Sequence, residues 1–210
     1  MKTDDREQQR QAAIAEHARA TEPIIAELRA LGFEVATLDE LRRSGKNYSR
    51  AVPVLINWLP KVQGLDVKES IIRTLSVPWA KGVATRVVLD EFYKSPTEAM
   101  NFRWAVGNAM EVIADEAVAG ELLEIVANPS NGMARQMFVM ALGKIGSSAS
   151  IPVLLGLLRQ EEVAGHAVDA LGRLQAVEAT EELQRLAAHG KPWVRKAAAK
   201  ALARIAKAAS

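Results

Sequence analysis

The chain has no cysteine among its 210 residues. This absence excludes disulfides, thiolate metal sites, catalytic thiols and a cysteine-linked chromophore, and it is typical of a reducing compartment. Aromatic residues are scarce at 5%, whereas hydrophobic residues reach 49% and charged residues 25%. Because alanine and leucine dominate the apolar positions, the composition favours helices and still allows a sizeable core.

Long apolar runs are also missing. The first residues are polar and charged, without the apolar segment of a signal peptide, and no run approaches the ~18 apolar residues of a membrane helix. A formal net charge of +2 is too small to indicate nucleic acid by itself. We therefore expect a cytoplasmic protein with no membrane partner.

Signatures of catalysis are sparse. The three histidines, His17, His166 and His189, lie far apart, and no His-x-x-x-His or Glu-x-x-His pair supplies metal ligands on one helix face. There is no nucleophile elbow, phosphate-binding glycine loop or dinucleotide fingerprint. The sequence predicts a protein that is not an enzyme, with no catalytic residues, metal site or cofactor.

A repeating helical pattern is the strongest positive signal. An apolar anchor recurs at intervals of roughly 30 residues, at Leu75, Met110, Leu142, Leu171 and Leu202. Further apolar residues lie four and eight places before each anchor, and a small residue directly precedes it, so neighbouring helices can pack closely. The pattern predicts five helical hairpins. Their first helices lie near 49–62, 82–93, 116–127, 148–159 and 177–188, and their second helices near 66–77, 98–113, 131–144, 161–174 and 191–206.

Residues 1–48 lack this pattern. A helix is expected from Gln11 to Leu31, with Pro23 marking a break or a new start and Gly32 ending it. Thr37 and Glu40 then form a capping box that begins a short second helix. We expect residues 1–48 to be a helical cap that continues into the repeat unit of residues 49–210.

The repeat signature is clearest in residues 133–146, 163–174 and 193–205, and Pro53 and Pro152 stand early in first helices. In these features the chain resembles HEAT-repeat proteins of the short bacterial kind, including the HEAT-like repeats named after phycobilisome lyases. The resemblance covers about residues 49–206. It implies an all-α α-solenoid of about five HEAT-like hairpins with an N-terminal helical cap, but it does not specify an activity, because one solenoid fold carries many.

The resemblance also implies that the second helices line a concave binding face. On this face, positions six and two before each anchor, and two after it, lie opposite the apolar stripe. Trp104 and Met140 are large apolar residues there, either anchors for a partner or packing groups in a curved groove. The expected partner-binding residues are Arg73, Trp104, Asn108, Gln136, Met140, Lys144, Asp169, Arg173, Lys196, Lys200 and Arg204.

A basic residue stands seven places before four of the anchors, at Lys68, Arg103, Arg135 and Arg195. In the HEAT family this residue hydrogen-bonds the adjoining repeat, so the resemblance implies a structural role. Ala164 occupies the position in the fourth hairpin and interrupts the row.

Three functions remain open at this stage. The first is a scaffold whose concave face binds an unidentified protein or peptide. The second is nucleic-acid binding through the basic C-terminal end. HEAT-like alkylpurine DNA glycosylases share the solenoid architecture, although no motif of those enzymes matches this chain residue by residue. The third, suggested by the family name alone, is a role like that of bilin lyase subunits, which would need a partner subunit and a tetrapyrrole.

Overall fold

A computed structural model describes the backbone of residues 2–189 and 191–208, and the side chains of residues 6–188 and 191–208. This part of the chain is all-α. The helices are α1 (Lys2–Ala30), α2 (Leu38–Arg43), α3 (Val52–Trp58), α4 (Leu65–Leu75), α5 (Thr85–Lys94), α6 (Met100–Ile113), α7 (Ala119–Ala127), α8 (Arg135–Ile145), α9 (Ile151–Leu157), α10 (Ala164–Arg173), α11 (Thr180–His189) and α12 (Pro192–Ala208). Short 3₁₀ segments lie at Ser49–Ala51, Pro78–Ala80, Glu116–Val118, Pro129–Ala134, Ser148–Ser150 and Val177–Ala179.

The five predicted hairpins are confirmed as α3/α4, α5/α6, α7/α8, α9/α10 and α11/α12. The second helices form a continuous layer, because α4, α6, α8, α10 and α12 each pack against the next. Packing between first helices is sparser, with α7 against α9 as its clearest example. The architecture is the predicted α-solenoid, and its densest layer is that of the second helices.

The predicted apolar stripe forms the core. Ile71, Val106, Phe138, Ala167 and Ala198 have no exposed surface, although they come from five different hairpins. Four of the five anchor residues are also fully buried, and Leu202 on the last helix is partly buried. This burial confirms the register of the repeat and explains the fold through the hydrophobic effect.

The second helices α8, α10 and α12 pack so closely that their backbones are in contact. A Cβ atom on Gly143 would lie 2.7 Å from the Cα of Ala170, and one on Gly172 would lie 2.8 Å from the Cα of Ala201. Carbon atoms do not approach so closely without repulsion, so both positions require glycine while the helices keep this spacing. The small-residue row therefore sets the distance between repeats.

The cap repeats the arrangement of the hairpins, with α1 against α3 and α4 and α2 against α4. Gly32 follows α1 with φ of 87°, a left-handed conformation that glycine adopts easily. The Thr37 side chain accepts a hydrogen bond from the Glu40 backbone N–H at 3.1 Å, which confirms the predicted start of α2. Glu40 Oε2 in turn accepts from the Ala36 backbone N–H at 2.7 Å.

The expected break at Pro23 is wrong, because α1 continues through it. Proline cannot donate a hydrogen bond to the carbonyl four residues earlier, which belongs to the exposed residue Arg19. Water can satisfy that carbonyl, while burial of Ile24, Ile25 and Leu28 holds the following turns against the stack. Tertiary packing thus overrides the local preference of proline.

Candidate functional site on the second helices

We use the term second-helix face for the partly exposed side of α4, α6, α8, α10 and α12 that carries the predicted partner-binding residues. Its centre is a network of four ion pairs. Glu111 lies 3.4 Å from Lys144 and 3.3 Å from Arg173, and Asp169 lies 2.8 Å from Arg173 and 2.9 Å from Arg204. The network links four helices, and it pairs most of the charge that the sequence placed on this face. Glu111 was not among the predicted residues.

An apolar cluster lies where the beginnings of α6 and α8 meet. Trp104 is 38% exposed and lines a cavity of about 210 Å³ together with Met100, Met133 and Gln136. Met133 is 56% exposed, whereas Met140 is half-buried and does not line the cavity. The structure therefore joins Trp104 to Met133, a methionine that the periodic pattern did not select.

The remaining predicted residues flank these two features. Arg73 pairs with Glu69 at 2.7 Å, and Gln136 Nε2 donates to the Glu162 carbonyl at 2.9 Å. Asn108 is half-buried. Lys196 and Lys200 on α12 are exposed and form no ion pair within the described residues. Along the stack, the second-helix face thus carries the Arg73–Glu69 ion pair, then the apolar cluster and the ion-pair network. It ends at Lys196 and Lys200, which are unpaired within the described residues.

The fourth and fifth hairpins meet through an aromatic ring. A Cβ atom on Gly165 would lie 1.6 Å from Trp193 Cζ3, so the indole ring rests on bare backbone at the start of α10. Trp193 thus packs between the two hairpins, although the residue remains 52% exposed. Here the ring takes the place of the polar link that Ala164 cannot make.

His166 lies on α10, one of the helices that the ion-pair network joins. Burial lowers the pKa of its imidazole, and the negative charges of Asp169 and Glu111 oppose that shift. Its Nδ1 atom is buried without a hydrogen-bond partner in the described part of the protein. The side chain of His189 lies outside the described set. His166 is therefore a largely desolvated group close enough to Asp169 and Glu111 to feel their negative charge.

The basic residues seven places before the anchors link successive repeats, as the resemblance implied. Lys68 Nζ lies 2.6 Å from Glu91 Oε2 of the second hairpin. Arg103 Nη2 donates to Asn131 Oδ1 of the third hairpin at 2.7 Å. Arg135 donates to Gln160 Oε1 at 2.7 Å and pairs with Glu162 at 3.2 Å, both before α10. Arg195, in the last hairpin, is exposed.

The structure brings together one set of polar residues that the sequence left scattered. His17 Nδ1 lies 2.9 Å from Asp66 Oδ2, and His17 Nε2 lies 3.2 Å from Ser70 Oγ. The set adjoins an apolar cleft of about 670 Å³ between α1, α2 and α4. Ser70 stands in the middle of α4, where the neighbouring N–H groups already bond within the helix and cannot hold an oxyanion. Because His17 lies on α1 while Asp66 and Ser70 lie on α4, the set joins the cap to the first hairpin.

No group of three or more histidine, aspartate or glutamate side chains in the described part of the chain is placed to hold a metal ion. Among the same residues, no helix combines the length and apolar character needed to cross a membrane.

Family models match the C-terminal part of the chain. A family model described as HEAT repeats matches residues 159–210, and one described as PBS lyase HEAT-like repeat matches residues 134–160. Neither the curated proteins nor the solved structures gave a match. The matched segments include α8, α9, α10, α11 and α12, and the earlier hairpins follow the same two-layer arrangement. Residues 134–210 therefore carry HEAT repeats.

Proposed function

We propose that the protein is a non-enzymatic scaffold that binds a protein or peptide on its second-helix face. HEAT repeats generally serve as protein-interaction scaffolds, and this supports a protein partner in general terms. The observation that carries the specific proposal is the exposed Trp104 at the mouth of the apolar cavity it shares with Met100 and Met133. Exposed tryptophan beside adaptable methionine is a favourable composition for a binding hot spot.

The charge of the face favours a peptide over nucleic acid. A nucleic-acid site needs cations that are free to contact phosphates. Lys144, Arg173 and Arg204 instead share the carboxylates Glu111 and Asp169. We therefore propose a partner segment with an apolar side chain for the Trp104 cavity and acidic residues for the free lysines of α12.

The experiment is selection of peptides from a displayed random library on the purified protein, followed by affinity measurement with Trp104→Ala. We expect at least a tenfold loss of affinity, the order of a hot-spot truncation of about 2 kcal/mol. Tyr93→Ala is the matched control, because Tyr93 is a 52% exposed aromatic on the first helix α5. Unchanged circular dichroism and melting temperature establish that both variants fold.

Two results contradict the proposal. One is equal binding by Trp104→Ala and the native protein, and the other is loss of binding in Tyr93→Ala alone. A second experiment addresses nucleic acid, which the exposed Lys196 and Lys200 make a specific second candidate. Duplex DNA bound with a steep salt dependence, and lost on Lys196→Gln/Lys200→Gln but not on Trp104→Ala, replaces the peptide with nucleic acid.

A further inference from the structure

A polar cavity lies beside the second hairpin, and its lining shares no residue with that of the Trp104 cavity. It has a volume of about 390 Å³ and lies between the end of α5, helix α7 and the segment before α8. Its walls carry hydroxyl and amide groups, the rings of Phe92 and Tyr93, and one guanidinium. The polar and charged lining residues are Tyr93, Ser95, Thr97, Arg103, Glu124, Asn128, Ser130 and Asn131.

Arg103 is the unusual member of this lining. It is only 6% exposed, and its guanidinium carbon stacks 4.0 Å from the centre of the Phe92 ring. Its Nη2 donates to Asn131, its Nε is buried without a partner, and no carboxylate of the described residues forms an ion pair with it. Burial lowers the pKa of Arg103, and the charge of the exposed Glu98 offsets this only partly.

The neighbouring repeats provide an internal comparison. At the equivalent position, Lys68 has the carboxylate of Glu91 and Arg135 has the carboxylate of Glu162. Arg135 also uses all three of its nitrogens in hydrogen bonds, to Gly132, Val126, Gln160 and Glu162. Arg103 of the second hairpin has no such carboxylate partner among the described residues, and it lines a cavity instead.

We infer that this cavity binds a small ligand through a carboxylate group that pairs with Arg103. A planar guanidinium pairs with a carboxylate in two-point geometry, and a buried cation gains most from such a partner. The cavity volume lies within the range of small-molecule pockets and exceeds the space of a single carboxylate. Its hydroxyl groups and aromatic rings suit the remainder of a small organic acid.

The lining also favours a carboxylate ligand over a phosphate ligand. Glu124 is an exposed carboxylate on the same cavity, and it repels a doubly charged phosphate more strongly than a singly charged acid. The partners of the two neighbouring cations are themselves carboxylates. Both observations assign the ligand to the carboxylic acids.

The test is titration of the ¹⁵N-labelled protein with acetate, butyrate and inorganic phosphate at constant ionic strength set by chloride. We expect saturable shifts for the carboxylates in residues 92–97, 103 and 124–131, with tighter binding of butyrate than acetate. Asn128→Asp adds a negative charge to the cavity, and Asp retains the oxygen that accepts from Ser130 N–H and Oγ. This variant should bind at least about tenfold more weakly.

Asn47→Asp is the matched control, because Asn47 is exposed, lines neither this cavity nor the Trp104 cavity, and likewise accepts a hydrogen bond from the backbone N–H two residues later. It should bind the carboxylates as the native protein does. The inference is overturned by non-saturable shifts, by phosphate binding more tightly than butyrate, or by equal binding in Asn128→Asp. Loss of peptide binding in Trp104→Ala has no bearing on these outcomes, so this site and the proposed scaffold function fail separately.

Discussion

Lys68 on α4 and Glu91 on α5 form a buried ion pair between the first and second hairpins, with Nζ and Oε2 separated by 2.6 Å. The Glu91 side chain is 2% exposed and that of Lys68 is 14% exposed. Lys94 also approaches Glu91, at 3.4 Å, from a position that is 56% exposed. The buried carboxylate therefore depends mainly on Lys68 for its compensation.

Lys68→Met should lower the free energy of unfolding by about 3–5 kcal/mol, because it leaves a buried carboxylate without its main partner. Lys94→Met, the exposed control, should cost about 1 kcal/mol or less. The double variant Lys68→Met/Glu91→Met should be more stable than Lys68→Met, since it removes the stranded charge. Urea unfolding followed by circular dichroism measures all three. A double variant no more stable than the single one would show that the pair contributes chiefly through packing.

Two glycine-to-alanine changes should act in opposite directions. Alanine favours a helix over glycine by about 1 kcal/mol, so Gly156→Ala on α9, with open space around its Cβ position, should stabilise the protein. Gly143→Ala should destabilise it by about 1–3 kcal/mol, because the new methyl group meets the Ala170 backbone and forces α8 and α10 apart. Melting temperatures report both changes. Equal stabilisation by the two variants would exclude the close helix contact.

His166 should make stability depend on pH below neutrality. Burial holds its pKa in the folded protein below the unfolded value of about 6.5, so the folded state binds the proton less readily. Its contribution is therefore fully present above pH ~6.5 and is lost as pH falls through the lowered pKa. His166→Gln should reduce the difference in unfolding midpoint between pH 7.5 and pH 5.5. An unchanged difference would assign the pH dependence to other groups.

The contact of His17 with Asp66 and Ser70 should hold the cap on the first hairpin. The pKa of Asp66 lies below its ordinary value, chiefly because of its hydrogen bond with His17. His17→Ala should accelerate amide hydrogen exchange in α1 and α2 and leave α8, α10 and α12 unchanged, since each repeat mainly contacts its neighbours. Arg10→Ala is the control, because Arg10 pairs within α1 with Glu7. Acceleration throughout the stack would contradict local docking of the cap.

The sequence predicted the features that depend on local periodicity. The apolar stripe, including Phe138 and Ala167, is buried as expected, because one face of each helix must leave water regardless of its neighbour. Pro23 shows the limit of local rules, since burial of residues on the next turns holds α1 together. Element type followed from the pattern, while continuity of one helix depended on contacts distant in sequence.

The candidate site was less predictable, because its properties depend on long-range pairing. The sequence correctly placed Asp169 and Arg204 on second helices, but it does not reveal that the two side chains pair at 2.9 Å. Glu111 lies next to the anchor Met110, outside the positions selected by periodicity. The lack of a carboxylate partner for Arg103 could not be predicted from the sequence either. It becomes apparent only when Arg103 is compared with Lys68 and Arg135, which have such partners in the structure.

The close contacts of Gly143 with Ala170 and of Gly172 with Ala201 have a consequence for any chain that lies along the second-helix face. At the preceding joint, Gly107 faces the side chains of Met137 and Phe138 instead of backbone, so the joints are built differently along the stack. A chain bound along this face would meet the Trp104 cavity between the second and third hairpins and Lys196 and Lys200 on the last helix. Neither feature occurs twice among the described residues of the face. If the protein binds a chain as proposed, this face offers that chain one register and one direction.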